Sequence, residues 1–217
     1  MKKTCILLVM VLLVSGFSKP KPKILIIGDS ISIGYFPYVK EALSNVAILE
    51  HNPGNGKYTR NGLTKIHQWL GNEQWDVIQF NWGLWDLAYR QPTAKNKLAL
   101  NKTDGRVTAT PAEYARNLDS LVQILKDTHA RLIFVTTSYV PEKEPGRYSK
   151  DVKRYNDIAK RIMKANGVAI NDVYAKSKMI HKKYGRGDRN VHYTKVGYQR
   201  LAEYITGFLK KELRTVN

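Results

Sequence analysis

The stretch "KILIIGDSISIGYF", residues 23–36, decides how this chain is read. From Ile24 to Ile27 the residues are apolar without alternation, the pattern of a strand buried on both faces. The run stops at Gly28, Asp29 and Ser30, and a helical pattern follows Gly34. A serine between a strand and a helix is either an N-cap or a hydroxyl displayed on a tight turn as a nucleophile. Gly28 to Ser30 leaves both roles open, and it does not match the Gly-x-Ser-x-Gly elbow of the common hydrolase fold.

Three later segments repeat the apolar run: "WDVIQFNW" (75–82), "ARLIFVTTS" (130–138) and "GVAIND" (167–172), with a weaker "VAILE" (46–50). Between them lie amphipathic helical patterns. Residues 61–71 put Leu63, Ile66 and Leu70 on one face and end at Gly71. Residues 110–128 open with Thr110, Pro111 and Glu113, a capping box. Residues 151–167 and 194–213 read as two more helices. Strands alternating with helices, apolar on both faces, imply an α/β three-layer sandwich: a central, mostly parallel five-stranded sheet covered by helices on each side. Sites in such sheets form at the carboxyl ends of the strands, where Ser30, Trp82 and Ser138 fall.

The opening "MKKTCILLVMVLLVSGFSKP" has two lysines, an apolar stretch from Cys5 to Val14, then small residues, the layout of a secretory signal peptide. Cleavage near Ser18 is expected, leaving residues 19–217 as one domain and placing the protein outside the cytoplasm. The apolar stretch is too short for a stable membrane span. The single cysteine lies in the leader, so the mature chain has no disulfide and no thiol nucleophile. The histidines show no zinc-enzyme spacing, and neither metal nor cofactor is expected. Removing Lys2 and Lys3 lowers the formal charge from +18 to +16, which points to acidic partners such as anionic polysaccharide before nucleic acid. A solvated basic surface without a specific partner is the alternative.

A serine nucleophile needs a base. "GDRNVHYTKVGYQRLA" offers His192, in a loop just before the last helix and at the same sheet edge as Ser30. Together the two segments resemble the SGNH, or GDSL, hydrolase family, whose first block is Gly-Asp-Ser after strand one and whose last is Asp-x-x-His followed by an aromatic residue, a threonine and a glycine. Two intermediate blocks appear in order, one in "NPGNGKYTRNGL" and one at Gly83, Leu84, Trp85 and Asp86. The resemblance spans nearly the whole mature chain and implies the flavodoxin-like fold of that family. It also implies Ser30 as nucleophile, His192 as general base, and an oxyanion hole from the N–H groups of Ser30 and Gly56, with Gly54 as the alternative glycine, plus a side-chain donor, with Asp29 and Gly83 near the substrate. Arg147, on another loop at the same sheet edge, either contacts an acidic substrate or faces solvent.

Two departures accompany it. Trp85 stands where the family has an asparagine, so the third donor is the Trp85 indole or the amide of Asn81; otherwise Trp85 is a pocket wall. Arg189 stands where the family has its aspartate. Asp188, one residue earlier, reaches the imidazole through a bulge, or a dyad operates with a carbonyl or water orienting the ring. The expected activity is an exported serine esterase acting on short acyl esters such as acetyl, on carbohydrate. The alternatives are a lipid-directed esterase and a catalytically weak carbohydrate-binding protein of the same fold. Residues 89–110 read as a surface loop long enough to face the substrate.

Overall fold

The structure, a computed structural model, describes residues 20–91, 96 and 99–214; the leader reading lies outside these. In chain order the elements begin β1 (Lys23–Ile27), α1 (Ser30–Leu43), β2 (Ile48–His51), α2 (Thr59–Leu70) and β3 (Val77–Phe80). A short ribbon follows, β4 (Tyr89–Arg90) and β5 (Arg106–Val107), then α3 (Pro111–Lys126) and β6 (Arg131–Val135). The chain closes with α4 (Ser149–Ala165), β7 (Ala169–Asn171), α5 (Tyr174–Tyr184) and α6 (Lys195–Leu213).

Five strands form one parallel sheet in the order β2-β1-β3-β6-β7. Helices α1, α5 and α6 pack together, and α2, α3 and α4 form a second packed group, giving the expected three layers. The core follows from the apolar runs: Ile24, Leu25, Ile26 and Ile27 are buried, as are Val77, Ile78 and Phe80 beside them. From β1 the chain goes outward to β2 and returns to the opposite side of β1 as β3. That reversal opens a crevice at the carboxyl ends of β1 and β3, where parallel sheets bind ligands. Gly28 to Ser30 ends one of these strands and Asn81 to Asp86 the other.

The boundaries differ from the sequence reading in instructive ways. Helix α1 begins at Ser30, not after Gly34, because the Asp29 carboxylate accepts the Ile31 N–H at 2.9 Å and caps the helix. Strand β2 starts two residues late, since the N–H groups of Val46 and Ala47 still bond to the Leu43 carbonyl. Helix α5 had no counterpart in the reading: few of its residues are buried, chiefly Ser177, Ile180 and His181, so it shows no apolar stripe. The described part of residues 89–110 is more than a surface loop. It holds the β4-β5 ribbon and is pinned where Lys102 N–H meets the Pro145 carbonyl at 2.8 Å and Tyr148 Oη donates to the Lys102 carbonyl at 2.7 Å. Among the described residues no helix is long and apolar enough to cross a membrane.

Candidate active site

With Asp29 as the cap, Ser30 is free to be something else. As the first residue of α1 it presents its N–H among those a helix cannot satisfy internally, at the positive end of the helix dipole. Its hydroxyl lies 2.9 Å from His192 Nε2. The two residues stand 162 positions apart in sequence and are joined by the fold alone.

The hydrogen bonds around His192 fix its tautomer. Asn190 Oδ1 lies 2.9 Å from the His192 backbone N–H and 2.8 Å from the ring Nδ1. The backbone group can only donate, so the atom it meets is the amide oxygen, and Nδ1 must therefore carry the proton. Nε2 is then bare and accepts from the Ser30 hydroxyl. Burial lowers the imidazole pKa from its ordinary value, and the nearby Arg147 and Arg186 lower it further.

Asp188 does not take part in this arrangement. Its carboxylate points outward to Lys143 at 2.8 Å, with the side chain 61% exposed, and Asn190 occupies the place at the ring. Asn190 escaped the sequence reading because that reading sought a carboxylate at a fixed offset. The available signal was a short polar side chain two residues before the histidine, close enough to fold back on the ring. Helix α5 supports it: His181 Nε2 donates to the Asn190 carbonyl at 2.7 Å. Just beyond α5, Arg186 holds the next turn, its N–H meeting the His192 carbonyl at 2.9 Å and its Nε the Tyr193 carbonyl at 3.0 Å.

The expected oxyanion donors are largely committed elsewhere. The Gly56 N–H bonds to the Gly28 carbonyl at 2.8 Å, so Gly56 ties the β2-α2 loop to the nucleophile's turn. Asn52, also absent from the sequence reading, completes that tie by accepting the Gly28 N–H at 2.9 Å. Asn81 donates its amide to the Val135 carbonyl at 2.7 Å and bridges the ends of β3 and β6. Trp85 lines the cleft beside Ser30 and His192, half-buried, with the Arg90 guanidinium 4.6 Å from the centre of its ring.

The residues expected near the substrate divide. Asp29 is buried in its capping role, and burial raises its pKa. Gly83 is buried behind the cleft with φ of 146°, a conformation L side chains rarely adopt, and a Cβ there would lie 2.2 Å from Thr137 Oγ1. Neither is among the residues that line the cleft. Arg147 is in the cleft wall but is only 5% exposed: its Nε donates to the Leu84 carbonyl at 2.6 Å and its Nη1 pairs with Glu144 at 2.7 Å. Asp86, the last residue of the altered block, is buried and accepts both the N–H and the hydroxyl of Thr59, at 2.9 and 2.6 Å. It thereby caps α2 from another element, and burial pushes its pKa up to about 7.

Comparison with known proteins shows the family and the fold. The model of the GDSL-like lipase/acylhydrolase family matches residues 26–200. The chain belongs to that family. It is accordingly a carboxylic ester hydrolase. An arylesterase from Vibrio mimicus is 23% identical, covering 95% of this chain and 97% of the relative. A lipase/acylhydrolase from Enterococcus faecalis superposes with a TM-score of 0.68 at 20% identity, over 88% of this chain and 97% of that one. An acetylxylan esterase from Geobacillus stearothermophilus gives 0.67 at 20% identity, over 85% and 92%. At these identities the solved structures speak for the shared fold.

Proposed function

We propose that this esterase is exported and removes short acyl groups such as acetyl from carbohydrate esters, with Ser30 as nucleophile and His192 as general base. The observation that carries the mechanism is the Ser30 Oγ to His192 Nε2 contact at 2.9 Å, with Nδ1 bonded to an amide oxygen on the far side. Nε2 takes the hydroxyl proton as Oγ bonds to the ester carbonyl carbon. The imidazolium then returns that proton to the leaving alcohol as the C–O bond breaks. Water repeats the sequence on the acyl-enzyme, freeing the acid and restoring the Ser30 hydroxyl. Negative charge on the carbonyl oxygen develops near the Ser30 N–H, at the positive end of α1.

The acetyl and carbohydrate parts of the reading draw support from the acetylxylan esterase among the structural neighbours and from the aromatic and basic cleft. Export rests on the leader-like residues 1–18. The test is labelling with a fluorophosphonate, alongside hydrolysis of 4-nitrophenyl acetate and a long-chain counterpart by the same preparation. Labelling and acetate release are expected in the wild type and in neither case for Ser30→Ala. Persistence of either in Ser30→Ala would reject Ser30 as nucleophile, and preference for the long chain would reject the short-acyl assignment.

A further inference from the structure

The exposed face of α5 is charged in a way the other helices are not. Its 11 residues hold four lysines, Lys176, Lys178, Lys182 and Lys183, and no aspartate or glutamate. Helices α1, α3, α4 and α6 each interleave acids with their bases. Helix α2 also lacks an acid, but its Arg60 pairs with Glu113 of α3 at 3.6 Å. Among the described residues no carboxylate pairs with any lysine of α5. Three of them stand over tyrosine rings instead: Lys176 lies 5.4 Å from the centre of Tyr204, Lys178 5.6 Å from Tyr139 and Lys183 5.2 Å from Tyr184.

The carboxylates bordering this face have partners of their own. Asp172, just before α5, is held by Lys160 and Thr136; Asp188, just after it, by Lys143; and Glu203 on α6 by Arg200. Glu142, near Tyr139, makes no ion pair among the described residues, and it is one charge beside four lysines. The helix itself does not call for the pattern. Lys182 and Lys183 suit the negative end of its dipole, but Lys176 stands in the first turn, where an acid is favoured, and no acid is there. Lys178 and Lys182 repel each other across one turn. They stand about 6 Å apart along the axis, within a Debye length at physiological salt, so the charges act together on whatever approaches.

We infer that the exposed face of α5 is a docking surface for an anionic polysaccharide, separate from the cleft but joined to it. The lysines answer the carboxylates of the polymer, and the tyrosines beside them offer ring faces to its sugars. From α5 the chain runs directly into the loop of Arg189, Asn190 and His192, which line the cleft, and the His181 to Asn190 bond ties helix to loop. A strand held along α5 therefore lies beside the loop that carries the base. The charge complementarity is that of a polymer, not a bilayer: Met179, 56% exposed, is the one large apolar side chain that α5 shows to solvent, so there is no apolar face to bury at a lipid boundary. The surface rests on the carbohydrate-ester reading for its purpose, and it is tested by binding without turnover, so that either can fail alone.

The test compares Ser30→Ala protein on immobilised polygalacturonate and on dextran, a neutral polymer, at physiological salt. Retention on polygalacturonate alone is expected, and about 0.5 M salt should release it. Replacing Lys176, Lys178, Lys182 and Lys183 together by Gln should weaken that binding about tenfold or more. In the chain that keeps Ser30, the same replacement should leave 4-nitrophenyl acetate turnover unchanged. A control that removes four charges from α4, at Lys150, Lys153, Arg161 and Lys164, should stay within about twofold of the parent. Should the fourfold α5 variant fail to fold, Lys176→Gln with Lys178→Gln takes its place, and about threefold weaker binding is expected. No retention of the parent protein, unchanged binding in the α5 variants, or equal losses from α4 and α5 would each overturn the surface, the last by leaving only diffuse charge. Tighter binding to phosphatidylglycerol vesicles than to polygalacturonate, at matched concentration of anionic groups, would overturn it in favour of a membrane.

Discussion

An amide where a triad has its carboxylate changes what the His192 ring can do. In a Ser-His-Asp triad, replacing the acid by an amide costs about 10⁴ in rate because the ring takes the wrong tautomer. Here that loss is avoided, since the His192 N–H pins Asn190 with its oxygen toward Nδ1. What Asn190 does not supply is negative charge, so the imidazolium formed during acyl transfer is opposed by Arg147 and Arg186 with no acid to offset them. The pH profile of kcat/KM should therefore show its acid limb below the ordinary histidine value of about 6.5, since the base must be neutral to act. Asn190→Asp should move that limb upward by stabilising the protonated ring, and Asn190→Leu should cut kcat by roughly 10² to 10⁴. An unmoved limb in Asn190→Asp would remove Asn190 from the proton's path. Ser30 and His192 were legible in the sequence because each sits in a local block. Asn190 and the engaged Gly56 N–H were not, because both depend on which partner a polar group meets once loops converge.

At the scale of elements, the clearest signals were those written locally. The box foreseen at Thr110 is present: its hydroxyl accepts the Glu113 N–H at 3.3 Å, and the Glu113 carboxylate accepts the Thr110 N–H at 2.8 Å. Thr110→Ala should lower stability by about 1 kcal/mol. For a domain of this size that is a fall of roughly 2–4 °C in Tm, readable by thermal unfolding, and no change would mean that the box is redundant with the packing of α3. Helix α2 shows the opposite case. Its N-cap residue, Tyr58, makes no side-chain cap, and the first N–H is met by Asp86 from the loop after β3. No reading of adjacent residues could have found that. Helix α5 was hidden for a similar reason, having little apolar surface and gaining its place by holding the His192 loop through His181.

Across the whole molecule, the alternation of strands and helices was enough to place both catalytic candidates at one sheet edge. It left open how closely they meet. That closeness is set by two helices: α1 begins at the nucleophile, α6 begins three residues after the base, and the two pack on each other. One close contact between them is Gly34 against the Tyr198 ring, where a Cβ on Gly34 would fall 2.2 Å from a ring carbon. The working separation of hydroxyl and imidazole is thus expected to depend on a contact one turn further along, at a hydrogen atom standing where every other residue carries a Cβ. Gly34→Ala should cut acetate hydrolysis by a larger factor than its change in Tm would suggest, because a splay of a few tenths of an ångström is tolerable to a core and ruinous to a proton transfer. Equal activity in that variant would show that the loops, rather than the helix pair, hold the gap.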